Sequence, residues 1–194
     1  MTQHIHFFEG GKALSDFRIR QLLPQLQAVA PAVASVQARY VHLAGFAAEP
    51  PAAELQRLAA LLTYGEPAAP DVEDAERFTV TPRVGTVSPW ASKATDIARN
   101  CGIGSSGAPL HRVERLVEYQ IGLKPALIKR RQLSNEERSA IAACLHDRMT
   151  ESVMASRDEA RALFTTLQPE PLAHVDVLAG GKAALEKANT DWGL

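Results

Sequence analysis

Residues 86–102, TVSPWASKATDIARNCG, bring together side chains whose types could do chemistry. Pro89 follows Ser88, and Gly102 follows the apolar positions, so we predict a helix that begins at this serine and ends near the glycine. The free N–H groups in the first turn of such a helix could bind an anion, with help from Ser88 and Lys93. The spacing alone favours ordinary roles, in which Ser88 caps the helix and Lys93 faces solvent.

Cysteine chemistry is the second possibility, and the sequence argues against it. Two cysteines, Cys101 and Cys144, are too few for a disulfide framework. Cys101 ends the predicted helix, where the negative end of the helix dipole disfavours a thiolate. Cys144 lies on the apolar face of a later helix, at a spacing from His146 and Asp147 that does not let them face it. We predict no nucleophile and no other catalytic residue in this chain.

Metal and phosphate motifs are weak. His4 and His6 alternate along a predicted strand and face the same side, where a third ligand could complete a metal site. The remaining histidines are scattered, and neither a Cys-x-x-Cys nor a His-Glu-x-x-His pattern occurs. The glycines of CGIGSSGAP do not have the spacing of a phosphate-binding loop. We therefore predict no metal site.

The composition bounds the class of protein. The chain has 194 residues, of which 46% are hydrophobic, and a formal net charge of -1, which suits a globular protein with a real core. This charge gives no electrostatic case for nucleic acid or for an anionic membrane, and the short basic run 129–131 indicates a solvated loop. No apolar run approaches the roughly 18–20 residues of a membrane span. We predict a cytoplasmic protein that binds neither nucleic acid nor membrane.

The elements that would position these groups begin with a short strand. Residues 4–8 are aromatic and β-branched, and Gly10–Gly11 would end the strand. A helix follows, with Ser15 as its N-cap, and Pro24 inside it predicts a kink or a break. Residues 33–46 alternate for long enough to form one long strand or two strands with a tight bend.

A helix that follows Pro51 and stops at Gly65 closes the first half. The second half repeats the order of strand (77–82), helix (89–102), long alternating segment (111–123) and helix (135–149). Ser134 or Asn135 is the predicted N-cap of the last helix. This order is that of a split βαβ, or ferredoxin-like, unit. We predict an α+β fold in which two ferredoxin-like halves form one pseudo-two-fold domain, followed by a partial helical linker segment.

Residues 151–194 differ in character from the repeated part. They predict a strand fragment, a helix, a proline-containing stretch and the beginning of another helix. The chain stops at Leu194 just after that helix has started, which we interpret as a cut inside a longer protein. An incomplete linker would leave an apolar face uncovered, so we expect non-native self-association of the fragment.

Thr81 to Gly102, TPRVGTVSPWASKATDIARNCG, resembles the N-terminal signature of large, single-chain phosphoribosylformylglycinamidine synthases. These enzymes are also called formylglycinamide ribonucleotide amidotransferases and belong to purine biosynthesis. Further segments agree along the chain: ALSDFR (13–18), ARYVHLAG (38–45), LLTYG (61–65), LHDRMTESV (145–153) and KAALEKAN (182–189). The resemblance covers essentially the whole chain.

The resemblance implies an accessory-subunit-like domain over residues 1–147 and the start of a linker domain over residues 148–194. The family reaction converts formylglycinamide ribonucleotide, glutamine and ATP to formylglycinamidine ribonucleotide, glutamate, ADP and phosphate. Its ATP and magnesium ligands lie in a synthetase core, and its Cys-His-Glu triad lies in a C-terminal glutaminase. Neither region is in this chain, so we expect no cofactor here and no turnover by the chain alone.

The resemblance also gives residues 86–102 a role in contact with the rest of the enzyme. The candidates for docking the synthetase and glutaminase domains, or for lining the route between their active sites, are Ser88, Trp90, Lys93, Thr95 and Asp96. Two alternatives stay open. The turn from Ser88 to Lys93 could contact a phosphate of substrate or nucleotide, and the chain could be a free-standing accessory interaction protein of the same pathway.

Overall fold

A five-stranded antiparallel sheet carries the fold in the computed structural model, which describes residues 4–125, 132–165 and 171–192. The strands are β1 (His4–Lys12), β2 (Val33–Phe46), β3 (Glu76–Pro82), β4 (Leu110–Leu123) and β5 (Glu151–Met154), in the spatial order β1-β2-β4-β3-β5. The helices are α1 (Asp16–Val29), α2 (Ala52–Leu62), α3 (Pro89–Asn100), α4 (Asn135–Leu145), a 3-10 helix (Asp158–Phe164) and α5 (Val177–Trp192). This is the α+β class with split βαβ halves that the sequence predicts.

β2 and β4 form the centre of the sheet and pair antiparallel along their length. Each is one continuous strand of 14 residues, and not two strands with a tight bend. β1 lies beside β2 and β3 lies beside β4, so equivalent strands of the two halves take equivalent places. This order agrees with the predicted pseudo-two-fold relation, to which β5 adds a strand next to β3.

Two pairs of helices cover one face of the sheet. Inward side chains recur with a period of two along β2 and β4, so each helix pair finds an apolar strip of strand beneath it. α1 and α4 contribute to one core, which includes Leu26, Val36, Phe78, Ile121 and Ile141. α2 and α3 contribute to the other, which includes Phe46, Leu58, Ala98, Ile103 and Val113.

The 3-10 helix covers part of the opposite face. Its Leu163 and Phe164 pack with Val41, Leu43 and Leu116, which point away from the two helix-covered cores. β5 and this helix thus pack on the same sheet as the preceding elements, and the sheet reaches past the boundary predicted after residue 147. The position at which a linker domain begins stays a prediction.

β1 does not end at Gly10–Gly11, where the sequence predicts its end. It continues to Lys12. A Cβ atom on Gly10 would lie 2.7 Å from a ring carbon of His42, and one on Gly11 would lie 2.5 Å from the carbonyl oxygen of Glu66. The strand therefore passes too close to its neighbours for any side chain at these positions.

The predicted N-caps are confirmed, but the predicted stop of α2 at Gly65 is wrong, because α2 ends at Leu62 with Thr63 as its C-cap. Ser15, Ser88 and Ser134 each accept a hydrogen bond from a backbone N–H of the first turn, and Ser134 belongs to a capping box. α1 runs through Pro24, so the possible break there does not occur. The basic run 129–131 lies outside the described residues. Within the described ranges, no helix combines the length and hydropathy that a membrane crossing requires.

Candidate functional site

A cleft of about 370 Å³ opens on the helix-covered face of the sheet, between the two cores. The strands form its floor, and its walls come from the beginnings of α1 and α3 and from the residues at the start of β5. Its lining includes Arg18, Tyr40, Ser88, Trp90, Arg115, Tyr119 and Thr150. Ser88 and Trp90, which the sequence predicts as site residues, thus belong to a concave surface.

The guanidinium group of Arg115 lies against two aromatic rings in this cleft. Its central carbon is 4.2 Å from the ring centroid of Tyr40 and 4.5 Å from that of Trp90. Ring faces attract a cation at such distances. Nη1 of Arg115 also donates a hydrogen bond of 3.3 Å to the hydroxyl oxygen of Tyr64. Because Arg115 belongs to β4 and Trp90 to the first turn of α3, these contacts hold the start of the helix against the sheet.

His42 supports the ring of Trp90 and is fully buried. The two rings stack with their centroids 5.4 Å apart, and Nε2 of His42 lies 2.9 Å from the hydroxyl oxygen of Tyr64. Burial, with a further contribution from the positive charge of Arg115, lowers the pKa of His42 to about 4. The imidazole is therefore neutral near pH 7 and serves as an aromatic support for the cleft.

Thr95 does not reach the surface, unlike the other predicted site residues. Its side chain is buried, and its hydroxyl donates to the carbonyl oxygen of Ala91 over 2.7 Å. The same oxygen accepts a hydrogen bond from the N–H of Val113 over 2.9 Å. Both hydrogen-bonding functions are used inside the domain, so Thr95 fastens α3 to β4 and we leave it out of the surface that could meet a partner.

Lys93 and Asp96 lie on the exposed side of α3. Neither forms an ion pair with another described residue, and Ile97 beside them is 52% exposed. Trp90, Lys93 and Ile97 follow one another at helical spacings of three and four, so they share one side of the helix. We call this side of the helix, with the exposed side chains Lys93, Asp96 and Ile97 and the partly buried Trp90, the α3 surface.

The comparison with known families agrees with this architecture. The family described as "Formylglycinamide ribonucleotide amidotransferase N-terminal" matches residues 39–164, more than half of the chain. The chain belongs to this family. It is thus an N-terminal domain of the amidotransferase family of purine biosynthesis, and the matched range contains α3 and the aromatic neighbours of Arg115.

The two cysteines lie apart from the cleft in this amidotransferase N-terminal domain. Cys101 is exposed at the end of α3, and Cys144 is partly buried against the core of α1 and α4. Nδ1 of His146 lies 2.6 Å from the carbonyl oxygen of Ala142, so this ring is engaged with its own helix. The predicted packing role of Cys144 is confirmed.

His4 and His6 face the same side of β1, as the alternation predicts. Nδ1 of His4 lies 2.9 Å and Nε2 of His6 lies 3.2 Å from the carboxylate of Glu49. The carboxylate gives both rings an ordinary polar partner. In the part of the chain that the structure describes, no group of three or more His, Cys, Asp or Glu side chains is arranged to hold a metal ion.

The opposite face of the sheet carries a network of ion pairs. The carboxylate of Glu118, whose side chain is 3% exposed, accepts hydrogen bonds from Arg39 and Arg157. Burial raises the pKa of Glu118, but the hydrogen bonds from the two arginines outweigh this effect and lower the pKa overall. The network ties the segment after β5 to β4.

Sequence reasoning missed Arg115 and His42 as site residues, although a signal for both exists. In β4, Arg115 alternates with the inward residues Val113 and Val117, so it is a charged side chain on an apolar face. His42 takes the corresponding place in β2, directly opposite Arg115. A polar residue in the buried register of a strand therefore marks this site.

Proposed function

We propose that this chain is the N-terminal domain of a phosphoribosylformylglycinamidine synthase and docks the synthetase and glutaminase domains through the α3 surface. In this role it couples the site that releases ammonia from glutamine to the site that uses ammonia and ATP. ATP and magnesium would be bound by the synthetase core, and this chain would supply no catalytic residue. The family membership is the observation that supports the parent reaction.

The composition and support of the α3 surface favour docking. Ile97 presents an exposed apolar side chain beside Lys93, which has no ion-pair partner among the described residues. Interfaces between domains of one chain are more polar than obligate interfaces, so they accommodate such a neighbouring charge. Beneath these two side chains, Thr95 and Arg115 fix the helix to the sheet through hydrogen bonds and ring contacts. A surface held by a rigid support loses little conformational freedom when it is buried against a partner.

Lys93→Ala in a complete enzyme of the family tests this proposal. We expect the glutamine-dependent activity to fall about tenfold or more while the ammonia-dependent activity stays close to that of the wild type, because only coupling is impaired. Arg57→Ala, at an exposed position of α2, is the matched control.

A different pattern of kinetics would exclude the docking role. Higher KM for the ribonucleotide with both nitrogen sources would mean that Lys93 contacts a phosphate. Unchanged activity with both nitrogen sources would mean that the α3 surface makes no functional contact.

A further inference from the structure

The arginines of the cleft differ from those on the opposite face of the sheet. There, Arg39, Arg112 and Arg157 each pair with a carboxylate. In the cleft, neither Arg115 nor Arg18 has a carboxylate partner among the described residues. A guanidinium group carries five N–H donors. Among the described residues, the side chain of Arg115 makes one hydrogen bond, to the hydroxyl oxygen of Tyr64. Most of its donors therefore have no acceptor within the described part of the chain, and the residue itself lines the cleft.

The charge and lining of the cleft limit what it can bind. Glu151 also lines the cleft, but its carboxylate accepts a hydrogen bond of 2.9 Å from the N–H of Asp147. Two guanidinium groups against one carboxylate leave the lining positive. Leu14, Val80 and Val117 add apolar area beside these charges. An anionic group on a short apolar stem suits this combination better than a bare inorganic anion does.

We propose that the cleft binds a carboxylate side chain from an acidic segment of the synthetase–glutaminase polypeptide that docks on the α3 surface. This inference rests on the proposed function and names the chemistry of the partner. Tyr40 and Trp90 hold the plane of the Arg115 guanidinium, which then offers parallel N–H groups to the two oxygens of a carboxylate. Arg18, near the beginning of α1, adds a second cation to the lining.

The position of Trp90 connects the cleft to the docking surface. Its ring lines the cleft, and the same residue lies on the side of α3 that carries Lys93 and Ile97. A segment that lies across the α3 surface can therefore place one side chain into the cleft. The positive lining attracts an acidic segment and disfavours a basic one.

The fluorescence of Trp90 provides a direct test. The chain has two tryptophans, Trp90 and Trp192, so Trp192→Phe leaves Trp90 as the sole reporter. The probe is the peptide acetyl-Asp-Glu-Asp-Glu-amide, and its neutral counterpart is acetyl-Asn-Gln-Asn-Gln-amide. We expect a saturable change in emission with the acidic peptide and none with the neutral one. Adding Arg115→Met should weaken binding about tenfold or more, as expected for lost hydrogen bonds to a charged group.

Matched variants keep this test decisive. Arg57→Met removes the same charge from an exposed position of α2 and should leave peptide affinity unchanged. If Arg115→Met does not fold, as judged by circular dichroism, Arg18→Met at an exposed position of α1 carries the test instead. The proposal is overturned if the neutral peptide binds as tightly as the acidic one. It is also overturned if Arg57→Met weakens peptide binding as much as Arg115→Met does, or if inorganic phosphate binds more tightly than the acidic peptide.

The test of the cleft is separate from the test of docking. Peptide binding reports on the cleft alone, whereas the ratio of glutamine-dependent to ammonia-dependent activity reports on docking. Suppose that the chain does not bind the acidic peptide, while Lys93→Ala still lowers the ratio of glutamine-dependent to ammonia-dependent activity. This result overturns the carboxylate proposal but supports the docking role.

Discussion

Thr95 on α3 accepts a hydrogen bond from the backbone N–H of Val113 on β4, over 2.9 Å. Replacing Thr95 with valine keeps the shape of the side chain but leaves this buried N–H without a partner. We expect Thr95→Val to lower the free energy of unfolding by about 1–3 kcal/mol. Urea unfolding followed by circular dichroism measures the change. Lys93→Ala on the exposed side of the same helix should change it by less than about 0.5 kcal/mol, and equal stability of the two variants would contradict the role of Thr95.

Arg157 binds the buried carboxylate of Glu118 through two N–H groups, over 2.7 and 2.8 Å. Arg157→Met leaves Arg39 at 2.7 Å and Arg77 at 3.5 Å from this carboxylate, so the charge stays partly compensated. We expect a loss of about 2 kcal/mol in the free energy of unfolding, less than for a buried charge with no partner left. Arg20→Met, at an exposed position of α1, is the control. A loss no larger than that of the control would show that the ion pair does not fasten the segment after β5.

The order of the elements could be predicted from the sequence because it depends on local chemistry. Ser88 followed by Pro89 marks the start of α3 through hydrogen-bonding rules that act within one turn. The end of β1 could not be predicted, because Gly10 and Gly11 reflect the close approach of β2 and of residues 64–66 and not a turn. Glycine in a sequence does not distinguish these two causes.

The candidate site was predicted only in part, for a related reason. Trp90 and Lys93 stand out as unusual residues at a helix start, but the cleft also needs Tyr40 and Arg115 from strands far away along the chain. Thr95 shows the converse, because a hydroxyl at helical spacing looks accessible until β4 is placed beneath it. The family signature identifies the segment, and the sheet determines which of its side chains face outward.

Glu114 should make the stability of the domain depend on pH. Burial raises the pKa of this carboxyl to about 7, although Arg112 opposes the shift. The folded protein then holds the proton more tightly than the unfolded chain does, so the stabilisation is fully present below the unfolded pKa of about 4.5 and is lost as the pH rises through 7. Glu114→Gln lacks this loss. We therefore expect the difference in the free energy of unfolding between variant and wild type to shift in favour of the variant by about 2–3 kcal/mol from pH 5 to pH 8. Urea unfolding at each pH measures this difference. A difference that does not change with pH would contradict the raised pKa.

His42 should remain neutral well below pH 6.5, the ordinary pKa of histidine. Burial and the charge of Arg115 lower its pKa to about 4, so its contribution to stability is present above the unfolded pKa of 6.5 and is lost as the pH falls through 4. Imidazole chemical shifts measured by NMR from about pH 8 to the lowest pH at which the domain stays folded report the titration. Arg115→Met should raise the pKa of His42, while Arg57→Met should leave it unchanged. Titration of His42 near pH 6.5 in the wild type would mean that the ring is open to water.

Sedimentation velocity of a mixture tests the docking role most directly. The chain is mixed with a second polypeptide that carries the synthetase and glutaminase domains of the family enzyme. The account predicts a one-to-one complex whose affinity falls about tenfold or more with Lys93→Glu, which reverses the charge on the α3 surface, and does not change with Arg57→Glu. No complex with the wild-type chain, or equal affinities of the two variants, would contradict the claim that this domain docks through the α3 surface.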